Sequence, residues 1–223
     1  MNIYARSFRR NVVLDIETVG LVQDDPRAAL SALTGRIACI CLLLDDGRDI
    51  SESAFIDRDE KTIVSAFWNA IRPTDVFLGH NLIDFDLPFI RQRSWILGVR
   101  PSRRVDLRRY YSKDLIDTMQ IWANWGSQRY AGLDQLAAAL GCDRKIAHGN
   151  DVTDWWSAGD FLRIAEYCMH DVRVSYQVFR RMMFQSLPQR YVRLKPVAES
   201  IRDNIIPFPT ERVEAEDGRD HNP

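Results

Sequence analysis

Between residues 11 and 18 the sequence NVVLDIET puts Val12, Leu14 and Ile16 on one side of an extended chain and Val13, Asp15 and Glu17 on the other, because successive side chains of a strand point to opposite faces. The pattern predicts a strand that is apolar on both faces apart from two acids. Residues 36–44 (RIACICLLL) are almost continuously apolar, as a strand covered on both faces requires. Asp45, Asp46 and Gly47 turn the chain into a third strand over 49–55, which completes a hairpin. Asp57 and Glu60 read as a capping box opening a helix that runs to about Ile71, ahead of Pro73. Residues 75–79 predict a short buried strand, and 81–98 a loop leading into a helix whose first turn accommodates Pro88.

Residues 115–125 and 133–140 read as helices, the second ended by Gly141. From 159 to 184, Phe161, Ile164, Cys168, Val172, Phe179 and Met183 recur at helical spacing, with Pro188 just beyond. Strands come early and helices dominate late, so the predicted fold class is α/β, with a mixed central sheet flanked by helices. Residues 1–206 are expected to form one domain. The stretch 207–223 is polar and acidic and reads as a disordered tail.

A chain of 223 residues, 46% hydrophobic and 27% charged, can bury a sufficient core without disulfides or a structural metal. No run approaches 18 apolar residues, which argues against a membrane-spanning helix and any membrane partner. Residues 1–10 carry three arginines but no apolar stretch follows before Asp15, so no cleaved leader is expected. Cys39, Cys41, Cys142 and Cys168 form no CxxC, which points away from a zinc ribbon or disulfide framework and toward a reducing, cytoplasmic setting. Net charge is -1, but residues 209–223 hold five acids and two arginines, leaving +2 on the remainder. Of the 30 basic residues 26 are arginine, a bias that codon composition alone can produce. The stretch 91–109, with seven arginines against the single acid Asp106, is a candidate phosphate-tracking surface. Arg103 and Arg104 are its candidate substrate contacts.

Asp15 and Glu17, two apart on one strand face, are close enough to share a cation. On a strand apolar to both sides, such acids are expensive unless paired or metal-bound. Asp84, in the segment after the fourth predicted strand, reads as a helix N-cap. Asp86, beside Phe85 and Leu87, looks less like a plain surface acid, and His80 reads as a hydrogen-bonding turn residue. Tyr167 and Asp171, four apart, share one face of the long helix. His170 points elsewhere and is not counted as a ligand. The six tryptophans are read mainly as packing residues, with Trp155 and Trp156 the pair to watch for base stacking.

In order and context these residues spell D-x-E on the first strand, N-x-x-x-F-D after a later strand, and Y-x-x-x-D on a C-terminal helix. The set resembles the DEDD superfamily of 3′–5′ exonucleases, of RNase H-like fold, in its tyrosine-bearing subtype (DEDDy). Within it the chain is similar to the predicted exonuclease family related to the proofreading domain of family B DNA polymerases. The stretches that carry the resemblance are VLDIET, GHNLIDFDLPFI and AEYCMHDV, with LDQLAAALG and Lys145 ahead of the last. It covers about residues 10–185, and the ordered set is far more specific than any one motif.

The resemblance implies that Asp15, Glu17, Asp86 and Asp171 are acidic metal ligands and that Tyr167 orients the attacking water. It places Thr18, Asn81 and Phe85 along a nucleotide-binding groove, and gives Asp117 a structural role. The cofactor would be two Mg²⁺ ions, replaceable by Mn²⁺, clamping both ends of an in-line displacement at phosphorus. Asp15 would bridge them, with Glu17 and Asp171 completing one site and Asp86 holding the other. The implied activity is hydrolysis from the 3′ end of single-stranded nucleic acid, DNA preferred over RNA, releasing 5′-mononucleotides. A polymerase or repair partner would act in trans. The stretch 27–36 and residues 148–151 depart from the family pattern, which leaves local substrate contacts open. Two other readings stand beside this one: an exoribonuclease of the same fold, and a catalytically silent nucleic-acid-binding protein, against which the complete acid set argues.

Overall fold

The computed structural model describes residues 9–22, 25, 27–110, 113–144, 146 and 151–204. β1 (Asn11–Gly20) is the central strand of a five-stranded sheet, which is why both of its faces are apolar. It pairs antiparallel with β2 (Gly35–Asp45), and β2 pairs antiparallel with β3 (Ile50–Ile56). On its other side β1 pairs parallel with β4 (Val76–Gly79), and β4 pairs parallel with β5 (Leu115–Asp117). The order β3-β2-β1-β4-β5 is the mixed α/β sheet expected of an RNase H-like fold.

The two faces of β1 sort its side chains into two cores. Val12, Leu14 and Ile16 pack with Phe67 of α1 (Glu60–Ala70) and Ile90 of α2 (Leu87–Leu97). Val13 and Val19 pack with Trp155 of α5 (Asp151–Ala158) and with Ile164, Cys168 and Val172 of α6 (Phe161–Met182). Each such side chain, fully buried, contributes about 1.5–3 kcal/mol. The long helix α6 therefore lies across the face from which Asp15 and Glu17 project. α4 (Leu133–Leu140) closes a smaller core through Leu136 against Val174 and Val178.

Near the acids, the β1–β2 register slips. Glu17 opposes Cys39 but Thr18 opposes Ile37, so β2 carries one extra residue. Ala38 and Cys39 consequently face the α6 core together, while Ile37 and Ile40 face the other. This bulge re-aims the residues preceding it, Arg36 included.

Several sequence expectations need correction. α1 is capped by Asp59, whose carboxylate accepts from the Lys61 N–H, and Asp57 instead accepts from the Asp59 N–H. Glu60 is free to turn inward because the last acid of the turn, not the first, makes the cap. The stretch expected as one helix over 115–125 divides into β5 and α3 (Thr118–Trp122). Leu115 and Ile116 pair with Phe77 and Leu78, and Asp117 then starts α3 by accepting from the Met119 and Gln120 N–H groups. α5, α7 (Gln189–Val192) and α8 (Val197–Asn204) are not foreshadowed by the sequence pattern. Gly159, at φ +73, separates α5 from α6, and Asp160 caps the latter. The expected tail at 207–223 lies outside the described residues. Among those residues no helix is long and apolar enough to cross a membrane.

Candidate active site

A cleft of about 420 Å³ opens where β1, the segment after β4, and α6 meet. Asp15 and Glu17 line it from β1, Asp86 from the post-β4 segment, and Tyr167 and Asp171 from α6. Residues up to 156 positions apart in sequence thus face one space.

The post-β4 segment is shaped by local constraints. A Cβ on Gly79 would come within 2.8 Å of the Leu14 carbonyl oxygen and the Leu82 side chain, so a side chain there would force the segment off β1. Asn81 adopts the left-handed conformation at φ 67, which asparagine tolerates better than most residues. The Asn81 and Ile83 N–H groups donate to the two carboxylate oxygens of Asp117, each at 3.0 Å. Asp117 thereby holds the segment and caps α3 at once, the structural role expected of it. Leu82–Asp86 winds as a π-helical turn, a form common at functional sites. It returns Asp86 to β1, where its carboxylate accepts from the Ile16 N–H at 3.1 Å. Asp84 does not cap α2. Its carboxylate accepts from the Gln120 side-chain amide at 2.6 Å, because the π turn points it at α3.

Tyr167 is almost wholly buried, its ring edge-on to Trp155 at 5.8 Å between centroids. Cys168, the next residue, donates its thiol to the Asp15 carbonyl oxygen at 3.3 Å. Burial pushes this thiol well above its usual range, so it stays protonated and able to donate. The Asp15 carboxyl is likewise held well above the ordinary carboxylate range, first by burial and then by the neighbouring Cys168, Asp86, Glu17 and Asp171. His80, read as a turn residue, is one: its ring nitrogens meet the Thr118 hydroxyl at 2.9 Å and the Ala131 carbonyl at 3.0 Å.

Of the predicted groove residues, Thr18, Asn81 and Phe85 also line the cleft. The Thr18 hydroxyl donates to the Ala29 carbonyl at 2.8 Å and so ties the β1–β2 connection to the site. Arg103 and Arg104 do not line it. The Arg103 guanidinium donates to the Asp75 carbonyl at 2.6 Å, pairs with Asp114 and lies over the Phe77 ring. Arg104 is exposed away from the cleft. Other members of the 91–109 run are similarly engaged: Arg93 with buried Glu60, Arg108 with Asp106, Arg109 with the Trp125 carbonyl. Arg108 uses the run's own acid, whereas Arg93, Arg103 and Arg109 are recruited by acids and carbonyls outside the run, which a charge count along the chain does not reveal. Sequence reasoning also missed cleft-lining Ala29, Leu30, Met119 and Thr153, small or apolar residues that carry no chemical signature.

The donor set fits a hard divalent cation. It consists of carboxylate oxygens, and the upward push that Asp15 receives from its acidic neighbours is what a bound cation would relieve. Among the described residues Asp15 and Glu17, together with the Cys168 thiol, place ligand atoms within 4.8 Å of one another.

A mixed sheet of this order, with Asp15 and Glu17 on its central strand, frames the cleft. The chain belongs to the family described as predicted 3′–5′ exonuclease related to the exonuclease domain of PolB, which it matches over residues 30–205. Asp86, Tyr167 and Asp171 fall within the match, and β1 with Asp15 and Glu17 precedes it. No curated protein matches the chain. Among solved structures it is similar to the pseudoubiquitin hydrolase–RNA exonuclease module of Saccharomyces cerevisiae Pan2 in complex with AAGGAA RNA. Identity there is 14% and the TM-score 0.39, over 84% of this chain and 35% of that one. The chain thus spans about a third of that neighbour's length.

Proposed function

We propose that this chain is a metal-dependent 3′–5′ exonuclease of the tyrosine-bearing DEDD subtype. It removes 5′-mononucleotides from the 3′ end of single-stranded nucleic acid, DNA in preference to RNA. The observation that carries this reading is the convergence of Asp15, Glu17, Asp86 and Asp171 with Tyr167 on one open cleft.

Asp15, Glu17 and Asp171 would hold one Mg²⁺, and Asp15 with Asp86 a second, Mn²⁺ being an acceptable substitute for either. Bound there, the ions supply charge stabilisation to the phosphoryl and leaving oxygens of an in-line displacement. The chain's own groups do the rest. Tyr167, fixed edge-on against Trp155, presents its hydroxyl to the attacking water and aims it at phosphorus. Phe85 offers an aromatic surface to the terminal base, a contact worth about 1–3 kcal/mol. Asn81 and Thr153 face the same space from the post-β4 segment and α5. The Ile16 N–H and the Cys168 thiol hold Asp86 and the Asp15 backbone in place. Support for DNA over RNA comes from the family's relation to the exonuclease domain of PolB.

The test is a time course on 5′-labelled single strands of DNA and RNA of one sequence, with Mg²⁺ and with chelator. The expected result is a ladder that shortens from the 3′ end, faster for DNA and absent with chelator. Faster loss of RNA would make RNA the substrate. Binding without cleavage of either would leave a nucleic-acid-binding protein on a nuclease fold.

A further inference from the structure

The arginine run at 91–109 is largely engaged within the fold, yet a strand whose 3′ end enters the cleft must continue somewhere on its 5′ side. A second cleft, of about 450 Å³, lies beside the first and is walled by Arg36, Arg58, Trp156 and Phe161, with Ser157 and Gly159 at its edge. No carboxylate is among its described lining residues.

Its construction suits a phosphodiester strand. The Arg36 guanidinium lies 5.1 Å from the Trp156 ring centroid, and that of Arg58 lies 5.7 Å from Phe161. The two rings meet edge-to-face at 5.0 Å. A guanidinium lying over an aromatic ring is held there by cation–π attraction and suits a phosphate partner. Arg36 also donates to the Arg58 carbonyl, which holds the two basic residues together. Its Nε is buried without a hydrogen-bond partner.

Position connects the two clefts along two elements. Thr18 lines the first, and its neighbour Val19 pairs with Arg36 across the β1–β2 ladder. Thr153 lines the first from α5, and Trp156 lines the second from the same helix face. Three residues along a helix is about 4.5 Å, within the span of one nucleotide. The β2 bulge makes the arrangement possible. Strict alternation counted back from Cys39 through Ala38 would put Arg36 on the opposite face of the sheet, with the α1 side; the bulge puts it against α5 and α6.

We infer that the Arg36–Arg58–Trp156–Phe161 cleft is a subsite for the backbone and base of single-stranded nucleic acid on the 5′ side of the terminal nucleotide. This rests on the exonuclease reading for its direction, though not for its existence. The subsite determines how strongly affinity grows with strand length.

The experiment measures binding of labelled single strands of four and twelve nucleotides, DNA and RNA in parallel, with Mg²⁺ in an Asp15→Asn background that prevents turnover. It compares the pair Arg36→Ala/Arg58→Ala with Arg100→Ala/Arg104→Ala, which removes the same charge from the exposed part of the arginine run. The first pair is expected to raise the twelve-nucleotide Kd by about tenfold or more. It should also lower the slope of log affinity against log salt by about 1.4, the value for two lost phosphate contacts. The second pair should change Kd by less than about threefold, as expected if its charges act only through screened, long-range attraction. Arg36→Lys/Arg58→Lys should retain the salt slope, and melting curves identify any variant that fails to fold. The tighter-binding arm identifies DNA or RNA as the strand. Equal losses from both alanine pairs, or none from the first, would overturn the subsite, as would a parent chain that binds no strand. Cleavage by the parent alongside unchanged binding by the first pair would remove the subsite and keep the exonuclease. Binding lost through Arg36 and Arg58 in a chain that never cleaves would do the reverse.

Discussion

The backbone N–H of Ile16, lying between Asp15 and Glu17 on the central strand, donates to the carboxylate of Asp86 at 3.1 Å. One hydrogen bond therefore fixes the spacing between two of the three acidic segments, and it requires an acceptor at 86 but not a charge. Asp86→Asn should keep the acceptor and the melting temperature while losing activity. Asp86→Ala should leave the buried N–H unsatisfied and cost about 1–3 kcal/mol of stability. Denaturant titration of the two variants in chelator separates these effects, and equal stability would show that the bond does not matter.

The raised pKa of Asp15 makes a signed prediction. The folded chain binds this proton more tightly than the unfolded chain. The stability it contributes is therefore complete below the unfolded value, about 3.9, and is lost as pH rises through the higher folded value. Asn mimics the protonated form. In chelator, the melting temperature of Asp15→Asn should match the parent at acid pH and exceed it increasingly as pH rises. Mg²⁺ should then raise the parent more than the variant. A gap that is constant or narrows with pH would contradict the crowding of acids around Asp15.

Tyr167 is held by Trp155 and shares the cleft with Asp171 one helical turn on. Tyr167→Phe preserves the ring packing and removes only the hydroxyl. Turnover should fall by about 10²-fold, the scale of a misaligned nucleophile, with KM little changed. A change confined to KM would assign the hydroxyl to binding.

Arg93 and Glu60 form a buried pair with contacts of 2.6 and 2.8 Å; Arg93 also donates to the Ala32 carbonyl in the β1–β2 connection, and Glu60 accepts from the Ile37 N–H at the start of β2. Arg93→Ala strands a buried carboxylate and should cost about 3–5 kcal/mol in urea unfolding. A cost below about 1 kcal/mol would mean that water already solvates the pair.

Much of this site is legible in the amino-acid sequence. Asp15 and Glu17 stand out because charge on a strand apolar to both sides is costly, and Tyr167 and Asp171 because helical spacing stacks them. What stays hidden depends on contacts between remote residues. The three residues of β5 are too few for periodicity, and they merge with α3 in the sequence. α5 spans eight residues and buries only Val152 and Trp155. The bulge at Ala38 emerges only when β2 is laid against β1. Arg103 reads as available because Asp75 and Asp114, which engage it, lie outside its own charge run.

The central claim is that Asp15, Glu17, Asp86 and Asp171 act as one unit at the end of a nucleic-acid strand. The most direct measurement is single-turnover cleavage of a 5′-labelled strand with Mg²⁺ by the parent, Asp15→Asn, Glu17→Gln, Asp86→Asn and Asp171→Asn. Each substitution should slow shortening from the 3′ end by about 10³-fold or more, some 4 kcal/mol at the transition state, in chains that melt no lower than the parent. Cleavage that persists in chelator, or that survives loss of any one of the four within about tenfold, would contradict it.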